Sequence, residues 1–278
     1  FIGPSGCGKS TLGRCLVNLH PITSGKLVYD GKELNRLRKK ERQALSREIQ
    51  MVFQDPYSSL DPRHTAADSV EEPMIVHKTP ATARERQERT IGLFREVGLD
   101  MQHLNRYPHE FSGGQRQRLN IARAIASNPR VVICDEPVSA LDVSIQAQVI
   151  NLFKKLQKHF NLTYIFISHD LSVVRYICDR IMVMYLGNVM EIADKKALYE
   201  DAKHPYTQAL LSAIPIPDMD IEYNKIHLEG DVPSPFNPPQ GCRFHTRCRY
   251  ATEKCRVQVP ELKDVGDRHF VACHLYDE

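Results

Sequence analysis

The fold of this chain is decided by residues 3–10, which read Gly3-Pro4-Ser5-Gly6-Cys7-Gly8-Lys9-Ser10. They fit the pattern G-x-x-x-x-G-K-[ST], in which glycines let successive backbone N–H groups point at phosphate oxygens. Apolar residues recur at helical spacing after the loop, so it leads into a helix whose positive end favours bound phosphate. We predict that Lys9 reaches the β- and γ-phosphates of a nucleotide and that the Ser10 hydroxyl ligates Mg²⁺. The predicted nucleotide-binding residues here are Gly3, Pro4, Ser5, Gly6, Cys7, Gly8, Lys9, Ser10 and Thr11.

A second motif supplies two acids. Residues 131–134 are a continuous apolar run, which predicts a strand buried on both faces of a parallel sheet. We expect Asp135, at its end, to lie beside Mg²⁺, and Glu136 to polarise the attacking water as general base. A strand that ends in two solvated acids is the simpler alternative, and the phosphate loop makes it the weaker one. The two motifs together predict nucleotide hydrolysis.

Strand and helix patterns alternate along much of the chain. Apolar runs at 49–53, 163–168 and 180–186 predict strands, and helical spacing predicts helices near 112–128, 149–156 and 171–178. Asp30-Gly31 predicts a hairpin turn. Residues 57–110 lack strand patterning and predict helices, with breaks at Pro62, Pro73, Pro80 and Pro108. This order predicts an α/β fold whose parallel sheet is interrupted by a helical insertion.

Composition excludes some classes of function. The 278 residues carry 37 Lys and Arg against 34 Asp and Glu, a formal net charge of +3, which gives no argument for binding nucleic acid. Charges interrupt every apolar run before the length of a membrane span, and no signal peptide is evident, so we expect a soluble protein. Residues 36–48 are rich in Lys and Arg at helical spacing, which indicates a solvated helix face or a polyanion site.

The motif that discriminates among nucleotide hydrolases is Phe111-Ser112-Gly113-Gly114-Gln115. Ser112 and Gln115 form a capping box, and the bare glycine amides at this helix start make a second anion site. The segment resembles the signature motif of ATP-binding-cassette (ABC) ATPases, usually Leu-Ser-Gly-Gly-Gln, with Phe111 in place of Leu. Three further family elements follow the expected order: Gln54 resembles the Q-loop glutamine, Ser139-Ala140-Leu141-Asp142 the D-loop and His169 the switch histidine.

The resemblance carries expectations about fold and site. It implies a P-loop NTPase with a RecA-like parallel sheet, a helical subdomain at about 55–125 and a head-to-tail dimer. In that dimer the signature of one subunit closes over the γ-phosphate held by the other subunit, and ATP and Mg²⁺ are the cofactors. The implied catalytic residues are Glu136, His169 and Gln54, and the implied Mg²⁺ ligands are Ser10, Gln54 and Asp135. Ser112, Gly113, Gly114, Gln115 and Asp142 complete the implied nucleotide site.

Other segments resemble the dipeptide, oligopeptide and nickel importer ATPases. These are residues 54–62, 137–148 and 204–211, while 204–217, 228–235 and the Cys-rich tail are most similar to the second, F-type ATPase subunit. The resemblance implies a second ABC ATPase subunit in a heterodimer, two transmembrane permeases and an extracytoplasmic substrate-binding protein. It implies a peripheral position on the cytoplasmic face of the inner membrane and a groove after Gln54 for a permease coupling helix. It does not choose the cargo.

Domain organisation follows from these segments. We predict an ABC ATPase domain at 1–200 and a Pro- and Cys-rich C-terminal extension at 201–278, joined by a proline-rich connector. Only Phe1 and Ile2 precede the phosphate loop, which normally follows a strand. We therefore expect the first strands and the adenine-stacking aromatic residue to be missing, and this fragment alone to bind ATP weakly or fold poorly.

The tail places Cys242, Cys248, Cys255 and Cys273 within one short segment. Four thiolates suit a Cys₄ zinc site or an iron–sulfur cluster, although neither C-x₂-C zinc spacing nor the ferredoxin run is present. Reduced thiols and disulfides stay open as alternatives. Related importer ATPases carry a cluster on a similar tail, so the resemblance favours [4Fe–4S]. The nearby His245, His269 and His274 are interpreted as surface residues.

Two other functions compete with a transport ATPase. One is a non-transport ABC ATPase acting on ribosomes or nucleic acid, but such proteins usually carry two cassettes or a long coiled-coil insertion. The other is an unrelated P-loop kinase, which would leave residues 112–115 unexplained. We therefore predict an importer subunit that has no nucleic-acid partner.

Overall fold

The computed structural model describes residues 1–214 and 225–277. Part of the predicted proline-rich connector, and the end of the match at 204–217, lie outside the described residues. The chain divides into two compact units, Ser10–Ile167 and Phe1–Lys9 with Ser168–Glu278. The predicted domain boundary near residue 200 stays a prediction.

The helices and strands follow the sequence pattern closely. The helices are α1 (Lys9–Leu16), α2 (Lys39–Glu48), α3 (Ala66–His77), α4 (Ala83–Val97), α5 (Gly113–Ile125), α6 (Val143–Phe160), α7 (Leu171–Ile177), α8 (Lys195–Glu200), α9 (Pro205–Ser212) and α10 (Glu253–Val257). The strands are β1 (Val28–Tyr29), β2 (Lys32–Glu33), β3 (Ile49–Val52), β4 (Val131–Asp135), β5 (Thr163–Ile167), β6 (Arg180–Tyr185), β7 (Asn188–Asp194), β8 (Lys263–Asp264) and β9 (Phe270–Val271). The predicted hairpin forms β1 and β2, with Asp30 and Gly31 both at positive φ in its turn.

A parallel sheet of order β3-β4-β5 forms the centre of the Ser10–Ile167 unit. Val132, Ile133 and Cys134 are at most 1% exposed, as expected of a strand covered on both faces. Gly13 of α1 lies against this sheet, because a Cβ there would be 2.8 Å from Cδ1 of Ile167. The predicted parallel α/β architecture is thus confirmed, and it brings the carboxyl ends of the three strands to one edge.

The predicted helical insertion is α3 and α4, which pack with α5. Thr65 caps α3 and Thr82 caps α4, each with a capping box, and Gly98 ends α4 in the left-handed conformation. The predicted break at Pro73 is wrong, since Pro73 lies inside α3. Val70 and Met74 on either side are fully buried, and this packing offsets the lost backbone hydrogen bond.

The basic helix α2 has no buried residue. This agrees with the interpretation of residues 36–48 as a solvated helix face, because a helix without a buried stripe leaves its charges in water.

The other unit contains an antiparallel sheet of order β6-β7-β9-β8. The strand pair β8 and β9 comes from the Cys-rich tail and extends the β6–β7 hairpin. Beneath it Tyr185, Tyr206 and Phe244 form an aromatic cluster with ring centroids 4.7 to 5.5 Å apart. Ile2 adds a parallel bridge to Val183 at the far side of β6.

A buried carboxylate joins three parts of this unit. Glu191 of β7 is 0% exposed and accepts hydrogen bonds from the backbone N–H groups of Lys203 (2.7 Å) and His204 (3.0 Å). Its Oε1 lies 2.6 Å from Nε2 of His269. The prediction that His269 is a surface residue is therefore wrong: it is 6% exposed, because it partners a carboxylate that the sequence pattern did not single out. The ring of His274 is also largely covered, with its side chain 5% exposed beside Asp277.

Candidate functional site

The phosphate loop lies in the unit that contains Phe1–Lys9. Gly3, Gly6 and Gly8 have positive φ values, so the tight curl of the predicted loop is present. Gly3 also allows a close backbone approach, because a Cβ there would lie 2.3 Å from the carbonyl oxygen of Met184. On the other side of the loop, the backbone N–H of Gly187 donates to the carbonyl of Cys7 at 3.0 Å. The turn between β6 and β7 therefore supports the loop.

The ammonium group of Lys9 is held inside the curl. It is 4% exposed and donates to the carbonyl oxygens of Gly3 (2.8 Å) and Pro4 (2.9 Å). This geometry fixes a cation where the sequence pattern places phosphate oxygens. Burial raises the pKa of the neighbouring Cys7 thiol, which is 1% exposed.

The Ser10 hydroxyl meets the second motif in the Ser10–Ile167 unit. Its Oγ donates to Oδ1 of Asp135 at 2.7 Å, across 125 positions of sequence. Asp135 is 1% exposed at the carboxyl end of β4. A hydroxyl and a carboxylate oxygen are ligands that suit Mg²⁺, so these two residues fit the predicted metal.

Gln54 and Glu136 form a second contact in the same unit. Nε2 of Gln54 donates to Oε2 of Glu136 at 3.2 Å. The backbone N–H of Glu136 donates to the carbonyl of Ile167 at 3.0 Å, which fixes it where β4 and β5 end. Its φ of 44° is left-handed, a conformation that is uncommon outside glycine and is held here by the surrounding structure. The structure thus brings together the predicted base and the predicted Q-loop glutamine.

The signature residues open helix α5 as predicted. The Ser112 side chain accepts from the backbone N–H of Gln115 at 3.3 Å, while the Gln115 side chain accepts from Ser112 N–H at 2.9 Å. Ser112 and Gly113 are exposed. Gly114 faces inward, because a Cβ there would lie 2.6 Å from Cγ2 of Ile145 in α6. The two glycines therefore have different reasons to lack a side chain.

Asp142 acts as the N-cap of α6. Its Oδ1 accepts from the backbone N–H of Ile145 at 3.0 Å and from the Ser144 hydroxyl at 2.7 Å. The Ile145 bond, followed by the Ser144 bond, lowers the pKa of the Asp142 carboxyl. A nucleotide role for Asp142 stays a prediction.

His169 belongs to the unit that contains Ser168–Glu278, whereas Gln54, Asp135 and Glu136 belong to the other. It precedes Asp170, whose Oδ1 caps α7 by accepting from Ser172 N–H at 2.8 Å. Its role as a switch histidine stays a prediction.

Sequence reasoning gave no role to Tyr57 and Arg116, which lie near the predicted site residues. The guanidinium carbon of Arg116 is 5.2 Å from the centroid of the Tyr57 ring. One available signal was that Tyr57 follows Gln54 by three residues and Arg116 follows the signature by one, so both flank a predicted functional turn.

The four tail cysteines line one cavity of about 40 Å³, together with His204, His245 and His274. All four are free thiols. Burial, reinforced by the nearby thiols of Cys242, Cys248 and Cys255, raises the pKa of Cys273 to about 11. Among the described residues, no three His, Cys, Asp or Glu side chains are arranged so that they could hold one metal ion. The tail therefore gathers four thiols without forming a ligand set.

Within residues 1–214 and 225–277, no helix combines the length and the apolar character that crossing a bilayer would require.

Comparison with known proteins gives matches along the chain. The family model described as ABC transporter matches residues 1–139, and that of the oligopeptide/dipeptide transporter C-terminal region matches residues 190–255. The oligopeptide transport ATP-binding protein AppF of Bacillus subtilis (strain 168) is 54% identical over 279 residues, which is 99% of this chain and 84% of that protein. The di/tripeptide transport ATP-binding protein DppF of Pseudomonas aeruginosa (strain UCBPP-PA14) is 51% identical over 273 residues, 98% of this chain and 84% of that protein.

A solved structure is also similar. The dimeric post-hydrolysis state of the ATP-binding cassette MJ0796, bound to ADP and Pi, has a TM-score of 0.63 and 34% sequence identity. The similarity covers 70% of this chain and 83% of that chain.

Proposed function

The chain belongs to the ATP-binding subunits of ABC transporters, and we propose that it is the ATPase that drives uptake of peptides through an importer of the oligopeptide or dipeptide type. This membership confirms the predicted family, and subunits of this family hydrolyse ATP. The observation that carries the proposal is the 2.7 Å contact between Ser10 and Asp135, which joins the end of the phosphate loop motif to the acid at the end of β4.

Mg²⁺ bound by Ser10 and Asp135 would neutralise charge on the β- and γ-phosphates of ATP. Lys9 binds those phosphates from the loop, where its ammonium is already confined by two carbonyl oxygens. Gln54 and Glu136 lie within hydrogen-bond distance of each other, so one water molecule could contact both side chains. Glu136 would take the proton of that water as its oxygen attacks the γ-phosphorus and the bond to the β-phosphate oxygen breaks.

We place the remaining predicted residues at a dimer interface. Ser112 and Gly113, which are exposed at the start of α5, would bind the γ-phosphate held by a second ATPase subunit, and Asp142 would complete that nucleotide site. His169 would contact a γ-phosphate as a catalytic residue. The dimeric form of the MJ0796 cassette supports such an assembly. The F-type character of the tail favours a second, different ATPase subunit as the partner.

The proposed importer also contains two permeases and an extracytoplasmic binding protein, with this subunit at the cytoplasmic face of the membrane. The segment after Gln54 would receive a permease coupling helix. The names of AppF and DppF, which are oligopeptide and di/tripeptide transport proteins, support peptides as the cargo class. We keep the proposed boundary between the ATPase domain and the extension at residue 200.

The experiment is reconstitution of the chain with the partner ATPase subunit and the two permeases of its importer in proteoliposomes. We expect ATP hydrolysis that depends on Mg²⁺ and rises when a binding protein loaded with peptide is added. Glu136→Gln should abolish uptake while ATP still binds. Recovery of the chain with ribosomes and without permeases would overturn the importer proposal in favour of the non-transport alternative.

We also propose that the four tail thiols hold a [4Fe–4S] cluster. The support is their convergence on one cavity, and rearrangement of the surrounding loops would have to bring the sulfur atoms into ligand geometry. Binding would release the thiol protons. Anaerobically purified protein should contain iron and sulfide and absorb visible light, and Cys242→Ser with Cys273→Ser should lose both. Cys15→Ser in α1 is the matched control. A colourless sample, or one that contains zinc alone, would contradict the cluster.

A further inference from the structure

The turn after Gln54 and the signature helix α5 are joined by one pair of side chains. The guanidinium of Arg116 lies over the ring of Tyr57 at 5.2 Å, within the range of cation–π attraction. Both residues belong to the Ser10–Ile167 unit, so the contact lies within one compact body. Tyr57 is 52% exposed, and its ring therefore contributes little to the core of that body.

Arg116 also holds the chain that leads into the signature. Its Nε donates to the carbonyl of Pro108 at 2.7 Å and its Nη2 donates to the carbonyl of His109 at 3.3 Å. These carbonyls belong to the 3₁₀ turn Pro108–Glu110, directly before Phe111 and Ser112. A planar guanidinium can make both bonds and stack on a ring at the same time, whereas a lysine ammonium cannot reproduce this geometry. Arg116 thus sets the path by which Ser112 reaches the start of α5.

Tyr57 connects to the catalytic end of the unit. Its backbone N–H donates to Oδ1 of Asp55 at 2.9 Å, which closes the turn that follows Gln54. Gln54 in turn donates to Glu136 at 3.2 Å. Glu136 thus contacts Gln54, the backbone turn of residues 54–57 leads from Gln54 to Tyr57, and Tyr57 contacts Arg116 beside the signature.

A second arginine fastens the same segment to α5. Nη1 of Arg123 donates to the carbonyl of Ser59 at 2.7 Å, and its Nη2 lies 2.8 Å from Oε2 of Glu72 in α3. Arg116 and Arg123 are seven positions apart, so they lie on one face of the helix. With two attachment points, the turn after Gln54 and helix α5 are expected to move together.

We propose that Arg116 is a positioning residue. Through its contact with the Tyr57 ring, it couples the position of Gln54 to the orientation of the signature at Ser112. Nucleotide bound by one subunit would in this way orient the signature which that subunit offers to its partner, so that the two sites of the dimer are coupled. The inference rests on the proposed function. Because coupling is reciprocal, the state of the signature also affects binding at the Gln54 end.

Amide hydrogen exchange of the dilute monomer tests this link, because the measurement requires neither ATP hydrolysis nor a second ATPase subunit. Magnesium with the non-hydrolysed analogue AMP-PNP should slow exchange in peptides 3–16 and 107–118 of the unaltered chain. Tyr57→Leu should keep the first effect and reduce the second, because the bond from Arg123 to Ser59 remains, while Tyr57→Phe, which keeps the ring, should keep both in full. Arg84→Gln on α4 is the matched control, since the Arg84 side chain is 88% exposed and pairs with its helix neighbour Glu88.

A double-mutant cycle on ATP hydrolysis gives an independent readout. Tyr57→Leu should lower kcat about fivefold, the factor expected for one exposed cation–π contact. Arg116→Gln should lower it at least as far, and the double variant should be no slower than Arg116→Gln alone. KM for MgATP should shift by no more than the same factor of about five, because the coupling is reciprocal and the phosphate loop itself is not touched.

These outcomes distinguish failure of the Tyr57–Arg116 link from failure of the ATPase proposal. If peptide 3–16 is protected but 107–118 does not respond in the unaltered chain, the link is overturned and the ATPase proposal stands. Independent effects in the double variant, or equal losses in Tyr57→Phe and Tyr57→Leu, also overturn it. Absence of protection in both peptides, in the monomer and also in the chain assembled with its partner ATPase and permeases, would overturn the ATPase proposal and the link together.

Discussion

The Oγ of Ser10 and Oδ1 of Asp135 lie 2.7 Å apart although 125 positions of sequence separate them. We expect Asp135→Asn to raise the Mg²⁺ concentration that half-activates ATP hydrolysis by at least about tenfold, because the amide lacks the negative charge that favours the ion. A Mg²⁺ titration of the ATPase rate measures this shift. Asp30→Asn is the control, since Asp30 forms an exposed ion pair with Arg130. An equal shift in both variants would contradict a role of Asp135 at the metal.

Glu136→Gln should lower kcat by about a hundredfold or more, because the amide cannot accept the proton of the attacking water. The side chain keeps its shape at the strained φ of 44°, so the affinity for ATP should be preserved. Single-turnover hydrolysis and equilibrium binding of ATP separate the two effects. Glu88→Gln on the surface of α4 serves as control, and a Glu136→Gln protein with normal turnover would rule out Glu136 as base.

The adjacent glycines of the signature should respond differently to alanine. Gly114→Ala should lower the free energy of unfolding by about 1–3 kcal/mol, because its Cβ would lie 2.6 Å from Ile145 and force the α5–α6 contact apart. Gly113→Ala should change it by less than about 0.5 kcal/mol, since the nearest atom would be Leu141 Cδ2 at an ordinary 3.7 Å. Urea unfolding measures both. Loss of ATPase activity in stable Gly113→Ala would then report on phosphate binding, and equal destabilisation of both variants would contradict the packing argument.

The stability of the Phe1–Lys9 and Ser168–Glu278 unit should depend on pH through His204. Burial lowers the pKa of His204 to about 3 from its ordinary 6.5, and its Nδ1 accepts from the backbone N–H of Tyr206 at 3.0 Å. Between these values the unfolded chain binds a proton that the folded chain does not. The free energy of unfolding should therefore fall as pH drops from about 6.5 towards 3, by up to about 1.4 kcal/mol per pH unit from this group.

Urea unfolding between pH 7 and pH 4 tests this dependence. His204→Asn keeps an acceptor for Tyr206 but cannot titrate, so its slope should be lower by about one proton. Leu198→Val, in the buried face of α8, should lose stability while it keeps the slope. An unchanged slope in His204→Asn would contradict the assignment.

Local patterns were sufficient to predict most elements and the proximity of Ser10 and Asp135, whereas Gln54 was assigned through the family resemblance alone. The phosphate loop, the capping box at Ser112 and the apolar run before Asp135 each depend on neighbouring residues, so their spacing could be read directly. That Ser10 meets Asp135 follows from the expectation that both side chains serve one Mg²⁺.

The predictions for Pro73 and His269 were wrong because tertiary contacts, which no local sequence pattern contains, determine the structure at both residues. Pro73 stays helical because Val70 and Met74 are buried against other helices. His269 is buried because its ring contacts the buried carboxylate of Glu191, 78 positions earlier in the sequence. The contact of Tyr57 with Arg116 was missed for the same reason, since either residue alone resembles an ordinary surface side chain.

The antiparallel strand β9 from the tail covers the outer side of β7, pairing Glu191 with Val271 and Ile192 with Phe270. Without it, β7 would be an open edge whose free N–H and C=O groups can pair with another molecule. Removal of β9 would therefore leave Ser10, Gln54, Asp135 and Glu136, which belong to the other unit, in place and would expose an edge through which copies of the chain can associate.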